Sequence, residues 1–316
     1  MKILITGASG DIGTRLVKIF SARSDVELFS TDLSDLHCKA NSTHEKFDVR
    51  DSRFIEWVES VKPDVIIHLA SIIQLPASMS VQDAFDIDVK ATERLLETSV
   101  KCGVGKFVVT SSGAAYGYWK DNADWLTEDM PPRGNDDYFY SSHKRQVEEM
   151  MAVYREKHPE LKQVVLRPGT VLGPNFENPI TNMFSKNIIS GIAGNDSPFV
   201  IIWVDDLVEY LIESAVTDVE GVYNVAGDGT LSLKQIAKRL NKMYLPIPAG
   251  FLRFMLGLLN PLGLSQYGPE QVKFIEFRPL LSNKKIKSVF NHQPGKTTAG
   301  AFESFLQETD KEYIKS

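Results

Sequence analysis

Tyr140 and Lys144 are well placed for chemistry, because a spacing of four residues puts both side chains on one face of a helix. A phenol with an ordinary pKa of about 10 is a poor base at neutral pH. A neighbouring ammonium stabilises the phenolate and lowers that pKa. Ser112 follows a run of apolar and β-branched residues, so it can hold the reacting oxygen at the end of a strand. These three residues predict acid and base catalysis at a hydroxyl or carbonyl group.

A glycine-rich turn follows the first predicted strand and opens a helix. It reads T-G-x-x-G-x-x-G, with Gly7, Gly10 and Gly13 after a strand over residues 1–6. The first two glycines allow a tight turn that approaches a phosphate, and the third lets the helix pack on the strand. Free N–H groups at the start of the helix then face the anion. Glycine-rich turns also simply connect elements, so the flanking strand and helix are what favour nucleotide binding.

Two aspartates that end predicted strands are candidate contacts to the nucleotide. Asp32 lies about twenty residues after the turn, where a carboxylate accepts hydrogen bonds from a ribose 2′-hydroxyl. No Lys or Arg stands immediately beside it to offset a 2′-phosphate, which favours NAD over NADP. Asp32 could instead cap a turn ahead of Ser34. Asp48, followed by Val49, could accept from an adenine amino group or simply end a strand.

The composition is that of an ordinary globular protein. A chain of 316 residues with a net charge of -6 disfavours nucleic-acid partners. Cys38 and Cys102 lack metal-ligand spacing, so no metal site is expected. The chain starts with a strand instead of a signal segment, and the most apolar run, 251–259, is interrupted by Arg253 and too short to cross a bilayer. We therefore expect a cytoplasmic protein without a membrane partner, and a packed helix over 251–259.

Short β-branched runs alternate with helical patterns, which predicts an α/β fold with a doubly wound parallel sheet. Helices are expected over 83–100 and 140–158. Segments near 201–226 are expected to complete the sheet of a first domain, residues 1–168. Gly, Pro and Asn residues after that domain indicate a smaller, mostly helical substrate cap over 169–198 and 229–316. The predicted strands cover 1–6, 26–31, 46–49, 65–70, 107–111, 164–167, 201–204 and 223–225.

These features, in this order, resemble the extended short-chain dehydrogenase/reductase family, and specifically its NAD-dependent epimerase/dehydratase branch. The resemblance covers nearly the whole chain. Besides the glycine turn, the two aspartates and the Tyr-Lys pair, it includes His68-Leu69-Ala70, Ser111 through Gly117, Arg167-Pro168-Gly169, Gly173-Pro174 and Trp203 through Leu207.

The resemblance implies a Rossmann domain that binds NAD. Ser112 and Tyr140 would contact the substrate oxygen, with Tyr140 as base in oxidation and as acid in reduction. Lys144 would hold the nicotinamide ribose, and the nicotinamide cation would help to stabilise a phenolate. Asn175 and Arg278 would belong to the substrate site, Arg278 as a phosphate clamp, although it could equally be a surface arginine. The implied cofactor contacts are Gly7, Ser9, Gly10, Asp11, Ile12, Gly13, Asp32, Asp48, Val49, Leu69, Ala70, Ser71, Tyr140, Lys144, Pro168 and Thr170.

Departures from the family pattern reduce the number of reactions that this chain is expected to catalyse. Members that dehydrate nucleotide sugars carry an Asp-Glu pair after the catalytic hydroxyl, where this chain has Gly113 and Ala114. Dehydration is disfavoured, because elimination needs an acid and a base that this loop lacks. We expect transient oxidation of a nucleotide-sugar hydroxyl to a ketone, as in the family's 4-epimerases. Two departures weaken the case for a nucleotide sugar: the usual Arg before 203–207 is missing, and Trp203 replaces a His. Asp88 replaces the common Asn, where it could alter a water or proton relay or simply hydrogen-bond the backbone.

Two alternative functions are also compatible with the sequence, and a homodimer is expected. Apolar residues at 72–76, with Trp119, Trp125 and Trp203, suggest a dehydrogenase or reductase of a non-nucleotide alcohol or ketone, hydroxysteroid-like or phenolic. The same fold also serves non-catalytic NAD sensors, although a sensor has no need of the intact catalytic residues. The predicted helix 83–100 and the one from Tyr140 would form a four-helix contact in a homodimer.

Overall fold

The computed structural model describes residues 1–176, 178–196, 198–265 and 268–309. The strands in these residues are β1 (Lys2–Thr6), β2 (Glu27–Asp32), β3 (Thr43–Lys46), β4 (Val65–His68), β5 (Lys106–Thr110), β6 (Lys162–Pro168), β7 (Thr170–Leu172), β8 (Ile188–Ile192), β9 (Ile201–Trp203), β10 (Gly221–Val225) and β11 (Met243–Ile247). Seven of them form a parallel sheet in the order β10-β6-β5-β4-β1-β2-β3. The predicted α/β, doubly wound fold is confirmed.

Helices connect the strands and cover both faces of this sheet. They are α1 (Asp11–Ser21), α2 (Ser52–Val61), α3 (Val81–Phe85), α4 (Ala91–Cys102), α5 (Phe139–Lys157), α6 (Pro179–Ser185), α7 (Val204–Val216), α8 (Leu233–Arg239), α9 (Ala249–Leu259), α10 (Lys273–Glu276), α11 (Lys284–Val289) and α12 (Thr298–Glu308). A π-helical turn, Asp86–Lys90, joins α3 to α4, and 3-10 turns occupy Gly113–Tyr116 and Pro269–Val272.

The central strands are buried on both faces because their sequences are nearly continuous apolar runs. Alternate residues of β1 point to opposite sides of the sheet. Ile3 and Ile5 pack in a core with Phe20 of α1, and Leu4 packs in a second core with Phe54 of α2. All of these side chains are fully buried. The two cores fix the helices that carry the site against the sheet.

The carboxyl end of β1 lies at the point where the chain changes direction across the sheet. β1 pairs with β2 on one side and with β4 on the other. The loops after β1 and β4 therefore diverge and leave a crevice between them, which is where open α/β sheets bind ligands.

Two predicted strands are misplaced. The segment 201–204 does not join the central sheet: β9 pairs with β7 in a separate two-stranded sheet, because β10 already occupies the free edge of β6. The third strand covers Thr43–Lys46 and not 46–49. This edge strand has the polar sequence THEK, so hydrophobicity gives no signal for it, while Phe47 and Val49 pack under the neighbouring helices.

The smaller part of the fold has its own core. Phe184, Phe199, Phe302 and Phe305 are buried together between the β7·β9 sheet and the surrounding helices. β8 and β11 form a second two-stranded sheet. The division into a cofactor domain and a substrate cap stays a prediction.

Helix α9 differs from its predicted role as a packed helix. It forms where expected, but all of its residues are exposed or half-buried, including Phe251 and Phe254. Its neighbours are the short turn Pro269–Val272 and Glu276 of α10, which pairs with Arg253. One short turn cannot cover a helix that is apolar on most sides. Within the described residues, no helix is both long and apolar enough to cross a membrane.

Candidate functional site

The glycine turn between β1 and α1 is shaped by close backbone contacts. Gly7 has a φ of +69°, and a Cβ there would lie 2.8 Å from the backbone nitrogen of Ala70. A Cβ on Gly13 would lie 2.2 Å from the carbonyl oxygen of Gly7. At Gly10, which forms the N-cap of α1, the nearest atom would be 3.5 Å away, and no side chain of the described residues caps the helix there. The first turn of α1 therefore offers its N–H groups to an anion.

The hydroxyl of Thr6 ties this turn to the end of β4. It accepts hydrogen bonds from the N–H groups of Leu69 and Ala70 at 3.2 and 3.3 Å. It also lies 2.7 Å from Nδ1 of His68, whose Nε2 is 2.9 Å from the hydroxyl of Thr92. Because the Thr6 oxygen already accepts two N–H groups, its single proton is donated to Nδ1 of His68. His68 then donates from Nε2. Burial, followed by the charge of Lys144, lowers the pKa of His68 to about 4, so this ring is neutral at physiological pH.

A cavity of about 590 Å³ follows the carboxyl ends of β1, β2, β4, β5 and β6. This volume is typical of small-molecule sites. It brings together every predicted cofactor contact except Ser9: Gly7, Gly10, Asp11, Ile12, Gly13, Asp32, Asp48, Val49, Leu69, Ala70, Ser71, Tyr140, Lys144, Pro168 and Thr170. Ser9 lies beside the cavity, where its N–H donates to Asp32 Oδ2 at 3.0 Å and its hydroxyl to the carbonyl groups of the next loop.

Unsatisfied polar groups along this cavity fit a dinucleotide. Thr31, Ser71 and Thr110 line it, and each hydroxyl oxygen is buried with no hydrogen-bond partner among the described residues. Buried hydroxyls are normally paired, so these oxygens are available to ligand groups. No ion pair to Asp32 forms within the described part of the chain, in agreement with a ribose that carries hydroxyl groups and no 2′-phosphate.

Asp48 forms an ion pair with Arg50. Its carboxylate is bound by the Arg50 guanidinium, with Nη2 2.7 Å from Oδ2. This hydrogen bond lowers the pKa of Asp48 and outweighs its partial burial. A contact from Asp48 to an adenine amino group therefore competes with Arg50, and it stays a prediction.

The three predicted catalytic residues meet in the same cavity. Lys144 Nζ lies 5.6 Å from the centre of the Tyr140 ring and donates to the carbonyl oxygen of Thr110 at 3.0 Å. Ser112 begins the 3-10 turn at the end of β5, and its hydroxyl accepts the N–H of Ala114 at 3.1 Å. The helix α5 thus presents the phenol and the ammonium to the oxygen-binding end of β5.

Burial dominates the electrostatics of Tyr140 and Lys144. Burial raises the pKa of Tyr140, and the hydrogen bond with Ser112 offsets only part of this effect. Burial also lowers the pKa of Lys144, against the charges of Asp88 and Glu148. Desolvation of the phenolate is therefore the dominant effect on the tyrosine pKa in the chain's own groups. A lowering of this pKa by the ammonium together with the nicotinamide cation stays a prediction.

The structure contains a buried ion pair, between Arg167 and Glu148, that was not predicted from the sequence. Arg167 of β6 and Glu148 of α5 have side chains only 4% exposed, and Arg167 Nε lies 2.9 Å from Glu148 Oε2. Glu148 also accepts from Ser111, and Arg167 donates to the Tyr116 hydroxyl at 2.7 Å. Burial opposes the charge of Arg167, but Glu148 outweighs it and raises the arginine pKa. In the sequence, the only signal for Glu148 is its helical spacing from Lys144.

A second buried pair joins the π-helical turn to α5. Asp88 Oδ2 lies 2.9 Å from Nδ1 of His143, and Asp88 Oδ1 accepts the N–H of Ile72 at 2.8 Å. Both side chains are at most 4% exposed. Asp88, which departs from the family's Asn, thereby fixes the loop after β4 to the residue next to Lys144.

Arg278 also lines the cavity. Its guanidinium is 3.8 Å from the centre of the Phe199 ring, and its Nε has no hydrogen-bond partner among the described residues. Nor does any carboxylate of those residues form an ion pair with it. Burial lowers the pKa of Arg278 to about 10, so it stays a cation at neutral pH. Asn175 lies in a turn with φ of +57° outside the cavity lining, whereas Asn178 lines the cavity.

Only some of the apolar residues that suggested an apolar substrate line the cavity. Ile72 and Ile73 line the cavity. Trp203 is packed in the core of the smaller part, and Trp119 and Trp125 are partly exposed away from the cavity.

At Gly113, a Cβ would lie 3.0 Å from the Leu281 side chain, so a larger acidic residue there requires Leu281 to move.

The fold and this site define a class of protein: an α/β enzyme with a dinucleotide crevice and a Ser-Tyr-Lys cluster for chemistry at a hydroxyl carbon. A family model described as the NAD dependent epimerase/dehydratase family matches residues 3–226, and the chain belongs to that family. The cofactor is therefore NAD and the protein is an enzyme, as predicted. Among the described residues, no cluster of His, Cys, Asp or Glu could hold a metal ion.

Individual relatives are distant but cover most of the chain. A UDP-glucose 4-epimerase of Mycolicibacterium smegmatis is 32% identical over 234 residues, 68% of this chain and 73% of that protein. The N-acetyl-alpha-D-glucosaminyl-diphospho-ditrans,octacis-undecaprenol 4-epimerase of Escherichia coli O157:H7 is 26% identical over 293 residues, 87% of this chain and 85% of that protein. The structure of Thermus thermophilus UDP-glucose 4-epimerase with NAD superposes with a TM-score of 0.72, at 22% identity over 97% of this chain and 99% of that one.

Proposed function

We propose that the protein transiently oxidises a hydroxyl group of a nucleotide sugar to a ketone and reduces it again, as a 4-epimerase does. The observation that carries this proposal is Arg278, a guanidinium without a carboxylate partner among the described residues, in the cavity that holds Ser112, Tyr140 and Lys144. A planar guanidinium binds phosphate through paired hydrogen bonds. Two relatives that cover most of the chain are named as 4-epimerases of sugars carried on a diphosphate.

In this proposal each residue has a distinct role at the reacting carbon. When bound, NAD would supply reversible hydride transfer at the sugar carbon. Tyr140 moves the proton of the sugar hydroxyl, and Ser112 holds the oxygen in place. The raised pKa of Tyr140 makes the neutral phenol the resting form, so the residue is ready to donate a proton. To act as a base it must first lose this proton, and that requires further positive charge beside it. Lys144 supplies part of that charge and holds the ribose.

Dehydration is not supported by this loop. Gly113 and Ala114 lack acidic and basic groups, and Gly113 is closely approached by Leu281. Epimerisation requires only that the ketone turns over between the two walls of the cavity.

Binding of UDP to the NAD-saturated protein, measured by calorimetry, tests this proposal. We expect micromolar binding, and we expect Arg278→Gln to weaken it by about tenfold or more, since a hydrogen bond to a charged group is lost. Arg133→Gln is the matched control, because Arg133 pairs with Asp121 outside the cavity lining. Absence of heat at two temperatures would exclude UDP-sugars, and equal affinities of the two variants would remove Arg278 from the site.

A dehydrogenase or reductase of an apolar alcohol or ketone is the second candidate. It is favoured by the apolar cavity wall of Ile72, Ile73, Met79 and Phe176. Such an enzyme would consume NAD in proportion to substrate, whereas an epimerase would leave the cofactor unchanged after each turnover. Absorbance of reduced cofactor during turnover separates the two.

A cytoplasmic homodimer, assembled through α4 and α5, remains part of the proposal. These helices expose Glu93, Glu97 and Glu149 as well as Val153. Light scattering with a Val153→Glu variant tests this contact, because a new carboxylate at a packed interface would dissociate a dimer.

A further inference from the structure

Helix α9 and the turn after it present an unusual amount of apolar surface to solvent. Phe251, Phe254 and Leu258 are 58%, 62% and 51% exposed, and Leu262 and Leu264 are 70% and 71% exposed. The first three are spaced by three and four residues, so they share one face of the helix. Clusters of exposed apolar side chains on one element mark interaction sites, whereas isolated ones do not.

The adjoining two-stranded sheet adds to this surface. Ile188 of β8 and Met243 of β11 are paired in register, and they are 45% and 65% exposed. Leu245, two residues further along β11, lies on the same side and is 43% exposed. The opposite side, represented by Ile189, is fully buried in the core of the smaller part.

The charged side chains within this stretch of sequence are all cationic, although Arg253 and Arg239 pair with Glu276 and Glu303 from elsewhere in the chain. Residues 229–269 contain five cations, Lys234, Lys238, Arg239, Lys242 and Arg253, and not one Asp or Glu, in a chain whose net charge is -6. Lys234 and Lys238 are exposed on α8, which packs on β8 and β11. An apolar face accompanied by cations is complementary to an anionic, partly apolar surface. A second copy of the chain would bring the same cations face to face with no acidic residue of this segment to pair with them.

Contacts connect α9 to the wall of the cavity. Arg253 of α9 pairs with Glu276 of α10. On α10, the Phe274 ring lies 4.2 Å from the centre of the Tyr138 ring, and Tyr138 lines the cavity. Arg278, two residues after α10, lines it as well. A surface that engages α9 therefore comes within two contacts of the substrate end of the site.

We propose that the apolar face of α9, with the turn that carries Leu262 and Leu264, docks on the surface of an anionic lipid bilayer. The expectation of no membrane partner rested on the absence of a spanning segment. Docking in the interfacial plane needs none, because a helix that lies at the headgroup boundary buries its exposed apolar side chains there without crossing the bilayer. This inference is independent of the proposed sugar substrate.

Co-sedimentation of the NAD-saturated full chain with vesicles tests the docking. The vesicles contain equal parts of phosphatidylglycerol and phosphatidylcholine, and pure phosphatidylcholine vesicles serve for comparison. We expect preferential binding to the anionic vesicles, weakened by salt. Phe251→Ser with Phe254→Ser should reduce partitioning by about tenfold or more. The matched control is Val289→Ser, an exposed apolar residue on α11.

A charge variant and a stability check complete the test. Lys234→Gln with Lys238→Gln should weaken binding to the anionic vesicles and leave binding to phosphatidylcholine unchanged. The serine variants alter exposed side chains, so their thermal unfolding midpoint should match that of the wild type; Leu262→Ser replaces them if it does not. Equal sedimentation of wild type and serine variants, or no binding to anionic vesicles, would refute the docking. Dissociation of an oligomer by the serine variants in light scattering would assign the surface to a second copy instead.

Discussion

Replacing Glu148 by Gln should destabilise the protein strongly, because it leaves the buried Arg167 guanidinium without a counter-charge. The Glu148 carboxylate accepts from Arg167 Nε at 3.0 and 2.9 Å, from Nη2 of the same guanidinium and from the Ser111 hydroxyl. In the variant, one of the two accepting oxygens is replaced by an NH₂ group, which faces a donor and cannot accept. Both side chains are 4% exposed, so water does not replace the lost interaction.

The expected loss in the free energy of unfolding is about 3–5 kcal/mol, the usual range when one partner of a buried ion pair is removed. This is a large share of the roughly 5–15 kcal/mol that stabilises a typical domain. Glu149→Gln is the matched control. Its carboxylate is 51% exposed beside Arg145 on the same helix, so its removal should cost about 0.5 kcal/mol or less.

Urea unfolding followed by circular dichroism measures these differences, provided that the dependence on urea concentration is unchanged. A double variant, Glu148→Leu with Arg167→Met, separates the charge from the packing. Replacing both partners by apolar residues leaves no uncompensated charge, so it should recover at least half of the stability lost in Glu148→Gln. A loss below about 1 kcal/mol in Glu148→Gln, or a double variant less stable than the single one, would refute this reasoning.

Three further predictions concern the site. Tyr140→Phe should reduce turnover by about 10²–10⁴-fold while NAD affinity, measured by calorimetry, is retained; full activity would show that another group moves the proton. Gly13→Ala should abolish NAD binding, since its Cβ would lie 2.2 Å from the Gly7 carbonyl oxygen, and unchanged binding would contradict the proposed cradle. The pKa of His68 is lowered to about 4 in the folded state, so below its unfolded value of about 6.5 only the unfolded chain takes up this proton. His68 therefore contributes a loss of about 3 kcal/mol of stability as the pH falls from 6.5 to 4, and His68→Asn should flatten urea-derived stability across that window.

The residues predicted best from the sequence are those constrained by local geometry. Gly7 and Gly13 have no room for a side chain, and Tyr140 and Lys144 share a helix face, so spacing alone indicates where they lie. The parallel sheet follows from the alternation of strands and helices. Short-range rules therefore located the glycine turn and the Tyr-Lys pair, whereas the resemblance to the family supplied most of the other predicted cavity residues.

What the sequence did not indicate depends on distant contacts. The partner of Glu148 is Arg167, on a strand nineteen residues away, and that of Asp88 is His143, fifty-five residues away. The polar edge strand β3 lacks a hydrophobic pattern, and the predicted continuous helix over 83–100 did not include the π-helical turn at Asp86–Lys90. The exposure of α9 was also missed, because an apolar run alone does not show whether other residues cover it.

The bond between Thr6 and Ala70 joins residues 64 positions apart, and the glycine turn rests on the end of β4 through this contact. The cofactor cradle thus requires closure of a long loop and exists only after β1 and β4 have paired. The unfolded chain has no such cradle, so NAD binds the native state selectively and raises the free energy of unfolding by about 2.7 kcal/mol at a concentration of one hundred times its Kd. Cellular NAD would in this way protect the chain from proteolysis, and depletion of the cofactor would shorten its lifetime.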